Sequence, residues 1–196
     1  MSIMKVAIIK YNAGNIRSVD HALKRMGING VITDDPEIIT RADRVIFPGV
    51  GEAATTMKYL KQRGLDKLIA SLKQPVLGIC LGQQLMCRWS EERDTPCIGI
   101  FDQPVRRFPD RLKVPHMGWN SLDQVSGTLF TEQLRGAFVY FVHSYYVPVC
   151  DDTAALSEYM VPFSAAMQKD NFYATQFHPE KSGEPGQQIL LNFLNV

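Results

Sequence analysis

The chain has 196 residues, 45% of them apolar, enough for one sizeable core and too few for two ordinary domains, so residues 1–196 read as a single domain. Its 21 Lys and Arg are scattered among 20 Asp and Glu for a net charge of +1, which argues against a nucleic-acid-binding surface. The four-residue apolar run between Lys5 and Lys10 is shorter than the roughly 7–15 residues of a secretory signal. No stretch approaches the roughly 18 apolar residues of a membrane span, so a soluble, cytoplasmic protein is expected.

From the N-terminus, KVAIIK, SVDHALKRMG, RVIFPGVG, a polar-apolar stretch through Leu72, and PVLGIC alternate short apolar runs with helical patterns. That rhythm predicts βαβ units around a mainly parallel sheet covered on both faces. Gly14 and Asn15 are expected to turn the chain into the first helix, and Gly27 to close it. From about Gly99 the runs DQPVRRF, VPHMGWN, GAFVYFVHSYYVPV, FSAAMQ and FYATQF are separated by Pro, Gly and Asp and predict strands, partly antiparallel. QQILLNFL predicts a final helix. The expected fold class is a three-layer α/β/α sandwich on a mixed, mostly parallel sheet.

Cys80, Cys87, Cys97 and Cys150 lack CxxC spacing, which argues against both a metal site and a disulfide framework. Cys80 stands apart because it lies in Gly78-Ile79-Cys80-Leu81-Gly82, with an apolar run before it and a helical pattern after it. This is the layout of the nucleophile elbow with sulfur for oxygen: glycines two positions either side leave room for a tight strand-to-helix turn that exposes the thiol. A helix start there favours the thiolate, and the Leu81 amide could hold an oxyanion. Cys87, Cys97 and Cys150 read as packing or surface thiols.

Near the C-terminus, His178-Pro179-Glu180 offers a base and its orienter. If extended, residues two apart share a face, so the carboxylate can fix the imidazole tautomer. His143, in Val-His-Ser with no carboxylate nearby in sequence, reads as pocket wall or packing, and His21 as helix surface. Ser90-Glu91-Glu92-Arg93 reads as an exposed helix end, and Trp119 suits either a core plug or an exposed turn.

Together, PGVG at 48–51, GICLGQQL at 78–85, PHMGWN at 115–120, YFVHSY at 140–145 and QFHPEKSG at 176–183 resemble the class I glutamine amidotransferases. Within that family they resemble the glutaminase subunits of imidazole glycerol phosphate synthase in histidine biosynthesis. The resemblance implies a flavodoxin-like fold and hydrolysis of glutamine to glutamate and ammonia by Cys80, His178 and Glu180, with no cofactor or metal. It implies an oxyanion hole from Leu81 and the Gly49-Val50-Gly51 backbone, with a reorientation at Val50 prompted by a partner. It assigns Gln84, Glu92, Tyr140, Ser144 and Tyr145 to glutamine binding. It also implies a one-to-one heterodimer with a (β/α)8-barrel cyclase, which uses the ammonia to make imidazole glycerol phosphate and a carboxamide ribotide. Asn15, Met117, Gly118, Trp119, Asn120 and Lys181 would face that cyclase.

Two departures stand out: Lys10, where many members are acidic, and Gln83, where an apolar residue is commoner. The readings left open are a glutaminase serving another acceptor, and a non-catalytic interaction or stress-response protein of the same fold with a redox-sensitive Cys80.

Overall fold

The computed structural model describes residues 4–11 and 16–196; Gly14 and Asn15 lie outside the described residues. In the first half, β1 (Val6–Ile9), α1 (Ile16–Arg25), β2 (Gly30–Thr33), α2 (Pro36–Thr40) and β3 (Arg44–Gly49) follow the expected alternation. Next come α3 (Ala53–Gln62), α4 (Leu65–Ser71), β4 (Val76–Cys80) and α5 (Leu81–Met86). The polar-apolar stretch through Leu72 forms two helices, because Gly64 takes a left-handed φ of 67° between them. Gly27, with a φ of 78°, ends α1 as expected, its amide donating to the Lys24 carbonyl at 3.0 Å.

The second half holds β5 (Cys87–Ser90), β6 (Thr95–Pro96), β7 (Phe101–Arg107), β8 (His116–Ser121), β9 (Gln124–Val125) and β10 (Phe138–His143). It closes with β11 (Tyr145–Tyr146), β12 (Thr153–Tyr159), β13 (Val161–Lys169), β14 (Phe172–Thr175) and α6 (Gly183–Asn195). An eight-stranded sheet runs β2-β1-β3-β4-β14-β13-β12-β9 among the described residues. Its first five strands are mutually parallel and the remaining pairings antiparallel, matching the mixed sheet expected.

Period-2 alternation sorts the strands' side chains between two helical layers. Val6, Ile8, Ile46, Leu77 and Ile79 face α1 and α6 through Val19, Leu23, Ile189 and Phe193. Ala7, Ile9, Val45, Phe47 and Val76 face α3, α4 and α5 through Met57, Leu60, Ile69 and Leu85. Burying such side chains stabilises a fold by roughly 1.5–3 kcal/mol each. A smaller sheet of β11-β7-β5-β6 and a two-stranded β10-β8 ladder stand apart from the main sheet.

The apolar run GAFVYFVHSYYVPV forms two strands in different sheets, divided at Ser144. Residues 91–94, read as a helix end, form a turn after β5. Gln83 finds a reason here: it is fully buried and donates from Nε2 to the Ser164 carbonyl at 3.0 Å, tying α5 to β13.

Candidate active site

β4 ends in the middle of the main sheet, between β3 and β14, so Cys80 sits where parallel strands present their C-terminal ends. Its backbone has φ 55° and ψ −106°, a conformation that costs a non-glycine residue on the order of 1–3 kcal/mol. The elbow's glycines explain how the turn fits. A Cβ on Gly82 would run into the Phe47 carbonyl, and one on Gly49 into the Gly82 amide and Leu81. The sequence expected a helix N-terminus beside the thiol; α5 supplies one, though it is only six residues long.

Opposite Cys80, β14 ends and His178 follows with extended φ and ψ of −99° and 94°. Glu180 lies not on a strand but in a 3-10 turn, Pro179–Lys181. The turn replaces the expected strand pleat and still brings Glu180 Oε1 to 2.8 Å from His178 Nδ1, with both side chains buried. The backbone is pinned by the His178 amide donating to the Tyr140 carbonyl at 2.9 Å and by the Ser182 hydroxyl donating to the His178 carbonyl at 2.6 Å. Burial opposes a charge on His178, but the Cys80 thiolate, a hydrogen bond to Cys80 and Glu180 outweigh it and raise the imidazole to about 10. The imidazole is thus disposed to carry a proton.

A cavity of about 310 Å³ opens over Cys80, at the low end of the range for small-ligand sites. Val50, Gly51, Leu81, Gln84, Glu92, Ser144, Tyr145 and His178 are among its walls, bringing together most of the residues singled out in sequence. Gly49 lies beneath, paired in register with Cys80. Gln84 Nε2 donates at 3.0 Å to both the Tyr145 carbonyl and Gln176 Oε1. Gln176 Nε2 donates to Cys80 Sγ at 3.7 Å. The sequence reading missed Gln176, whose full burial depends on tertiary packing.

Glu92 is no solvated surface charge. It lines the cavity and accepts from the Ala53 amide at 2.7 Å, and burial raises its pKa above the usual carboxylate value. Tyr140 is not brought to the cavity. It is half-buried on β10 and packs edge-on against Trp119, with ring centroids 6.0 Å apart. His143 is no rival base, since Nδ1 faces the Tyr145 carbonyl at 2.8 Å and Nε2 faces His116 at 3.0 Å.

Beside the PGVG turn, buried Tyr11 donates its hydroxyl to the Pro48 carbonyl and is hydrogen-bonded by the Val50 backbone. Burial, reinforced by the charge of Cys80, raises the phenol's pKa and keeps it neutral. On the outer face, Met117, Trp119 and Phe138 are 57%, 56% and 59% exposed. Trp119 is therefore an exposed residue of strand β8, neither a core plug nor part of a turn, and Phe138 extends the patch beyond the residues expected. Lys181 is exposed, Gly118 has a φ of 139°, and the Asn120 side chain turns inward to the Glu158 carbonyl at 2.9 Å. Asn15 lies outside the described residues. Among them no cluster of His, Cys, Asp and Glu suits a metal ion, and no helix is long and apolar enough to cross a membrane.

The family model for glutamine amidotransferase class-I matches residues 7–196. A protein of Bacteroides fragilis (strain YCH46), named imidazole glycerol phosphate synthase subunit HisH, is 64% identical over 98% of this chain and 100% of its own length. A HisH of Yersinia pseudotuberculosis is 45% identical over the same shares. Among solved structures, PurLQS from Thermotoga maritima superposes with a TM-score of 0.72 at 16% identity, covering 99% of both chains. A glutamine amidotransferase superposes with a TM-score of 0.72 at 18% identity, covering 97% of this chain and 99% of its own; at such identities the likeness speaks for the fold alone. With its elbow cysteine, its histidine-glutamate pair and a family match over nearly its whole length, this chain belongs to the class I glutamine amidotransferases.

Proposed function

We propose that the chain is the glutaminase subunit of an imidazole glycerol phosphate synthase, with Cys80 as nucleophile, His178 as general acid and base, and Glu180 as its orienter. One observation carries the chemistry: the floor of the cavity holds Cys80 beside His178, whose other ring nitrogen is 2.8 Å from a buried carboxylate. The Cys80 thiolate attacks the carboxamide carbon of glutamine, and the carbonyl oxygen becomes an oxyanion. His178 gives a proton to the departing nitrogen, releasing ammonia and leaving a glutamyl thioester. It then takes a proton from water, whose attack on the thioester yields glutamate and returns the thiolate.

Leu81 and the Gly49-Val50-Gly51 backbone form the oxyanion hole, in which each donor is worth about 3 kcal/mol of barrier. Engagement of the Pro48 and Val50 backbone by Tyr11 supports an oxyanion strand that waits for a partner before completing the hole. Gln84, Glu92, Ser144 and Tyr145 hold the amino-acid end of glutamine, Glu92 through the ammonium.

The names of relatives 45–64% identical over their full lengths support the synthase assignment. The partner is a cyclase of (β/α)8 fold in a one-to-one complex, seated on Met117, Gly118, Trp119 and Lys181 and fed ammonia directly. Asn120 belongs to the edge of that surface. The complex works in the cytoplasm, in keeping with four free cysteines.

The test is labelling by an electrophilic glutamine analogue, a chloroketone. Stoichiometric modification of Cys80 that glutamine prevents is expected; modification of Cys87, Cys97 or Cys150 instead, or no protection, contradicts the assignment.

A further inference from the structure

Two buried histidines outside the triad are joined ring to ring. His116, at the start of β8, and His143, at the end of β10, are cross-strand partners and each 5% exposed. His116 Nδ1 lies 3.0 Å from His143 Nε2. The acceptor at one end fixes every proton. His143 Nδ1 is 2.8 Å from the Tyr145 carbonyl, which can only accept, so Nδ1 carries the proton and Nε2 is bare. Bare Nε2 requires a donor, so His116 is protonated on Nδ1. His116 Nε2 then accepts from Asn120 Nδ2 at 3.5 Å, while that amide also donates to the Glu158 carbonyl. Burial keeps both rings neutral, with His143 lowered to about 3 and His116 to about 4. Tyr159 and Phe141 stack on the faces of His116, centroids 4.1 and 4.9 Å away.

The chain of bonds continues to the thiol. The Tyr145 carbonyl that receives His143 also receives Gln84 Nε2, which donates in turn to Gln176 Oε1. Gln176 Nε2 reaches Cys80 Sγ at 3.7 Å. The strand that bears exposed Met117 and Trp119 is thereby tied to the nucleophile through groups outside the triad.

We propose that His116 and His143 are positioning residues of the glutaminase: a neutral pair of single tautomer that holds the Tyr145 carbonyl, and with it the Gln84–Gln176 amides, in place beside Cys80. The inference rests on the reading of Cys80 as nucleophile, and its test separates the two.

Nitrogen-15 NMR of the wild-type chain reads the tautomers without turnover. Protons on Nδ1 of both rings are expected, and an Nε2-protonated tautomer at either overturns the pair. Kinetics on the complex with the synthase partner supply the second arm. His116→Asn keeps an N–H near the Nδ1 position, whereas His116→Leu removes it and leaves a buried acceptor bare. His116→Leu should lose about tenfold or more in kcat/KM for glutamine, mostly as a raised KM, with His116→Asn within about threefold of wild type. A folded His116→Leu with unchanged KM and kcat/KM, or a His116→Asn as impaired as His116→Leu, overturns the inference. Cys80→Ala in the same assay tests the nucleophile alone: glutamate release that survives it contradicts the glutaminase reading and leaves the tautomers to stand or fall separately.

Discussion

The floor of the cavity and the β8-β10 ladder are neighbours built on opposite terms. The floor belongs to the main sheet, where Cys80, His178 and Glu180 are 7%, 1% and 8% exposed and held by backbone that leaves little freedom. The ladder stands outside that sheet and turns Met117, Trp119 and Phe138 to solvent. A site that must fix charge needs a rigid, dry setting, whereas a surface that must dock needs an apolar patch it can bury later. The difference is in keeping with the proposal that chemistry belongs to one region and coupling to a partner subunit to the other.

The largest effect is expected at the thiol. Cys80→Ala should lower glutamate release by at least about 10⁴-fold, because the covalent route disappears, while leaving partner binding unchanged by calorimetry. Glu180→Gln keeps the shape of the turn but weakens support for the imidazolium; a loss of roughly 10²–10⁴-fold in kcat is expected in the same assay. Trp119→Ala should do the reverse. Partner affinity falls by about 2 kcal/mol, roughly 30-fold, with unpartnered kcat/KM unchanged. A Trp119→Ala variant that loses unpartnered turnover without loss of affinity would erase the division between the regions.

pH sharpens the contrast. His178 has its pKa raised from 6.5 to about 10, so its contribution to stability is fully present below about pH 6.5 and is lost as pH climbs toward 10. In Cys80→Ala the largest contribution raising it is gone, and NMR titration should show a lower pKa. The lowered pair behaves oppositely. The unfolded chain takes up protons at His116 and His143 below about pH 6.5 that the folded chain refuses until about 4 and about 3, so stability falls on acidification through that window. Thermal melts between pH 4 and 10 check both signs.

The smallest effect expected is at the oxyanion strand. Tyr11→Phe removes the bond to the Pro48 carbonyl and should cost about 1 kcal/mol of stability in denaturant melts. It should also weaken the dependence of turnover on the partner.

The elbow and the His-Pro-Glu motif were legible in sequence because their constraints are local. Glycine spacing around Cys80 reports close backbone approach, and a carboxylate two residues from a histidine can meet it through either a strand or a turn. The parallel core was legible from hydrophobic periodicity. What the sequence hid depends on packing between distant segments. Glu92 reads as surface until the start of α3 covers it, and Gln176 reads as ordinary until it is seen between Gln84 and Cys80. Tyr140 packs against Trp119, outside the cavity that Val142, His143, Ser144 and Tyr145 line, a placement that the strand pattern alone does not reveal. The run around Ser144 changes sheets, which apolar content does not reveal. The helix pattern after Cys80 likewise hid the change to β5 at Cys87.

The measurement that bears most directly on the division of labour is glutamate release from glutamine by the chain alone and with its partner subunit, in wild type and Cys80→Ala. Low turnover alone, a large rise with the partner, and loss of both in Cys80→Ala is the result this account predicts. Full turnover without the partner, or a partner-stimulated rate that survives Cys80→Ala, would contradict it.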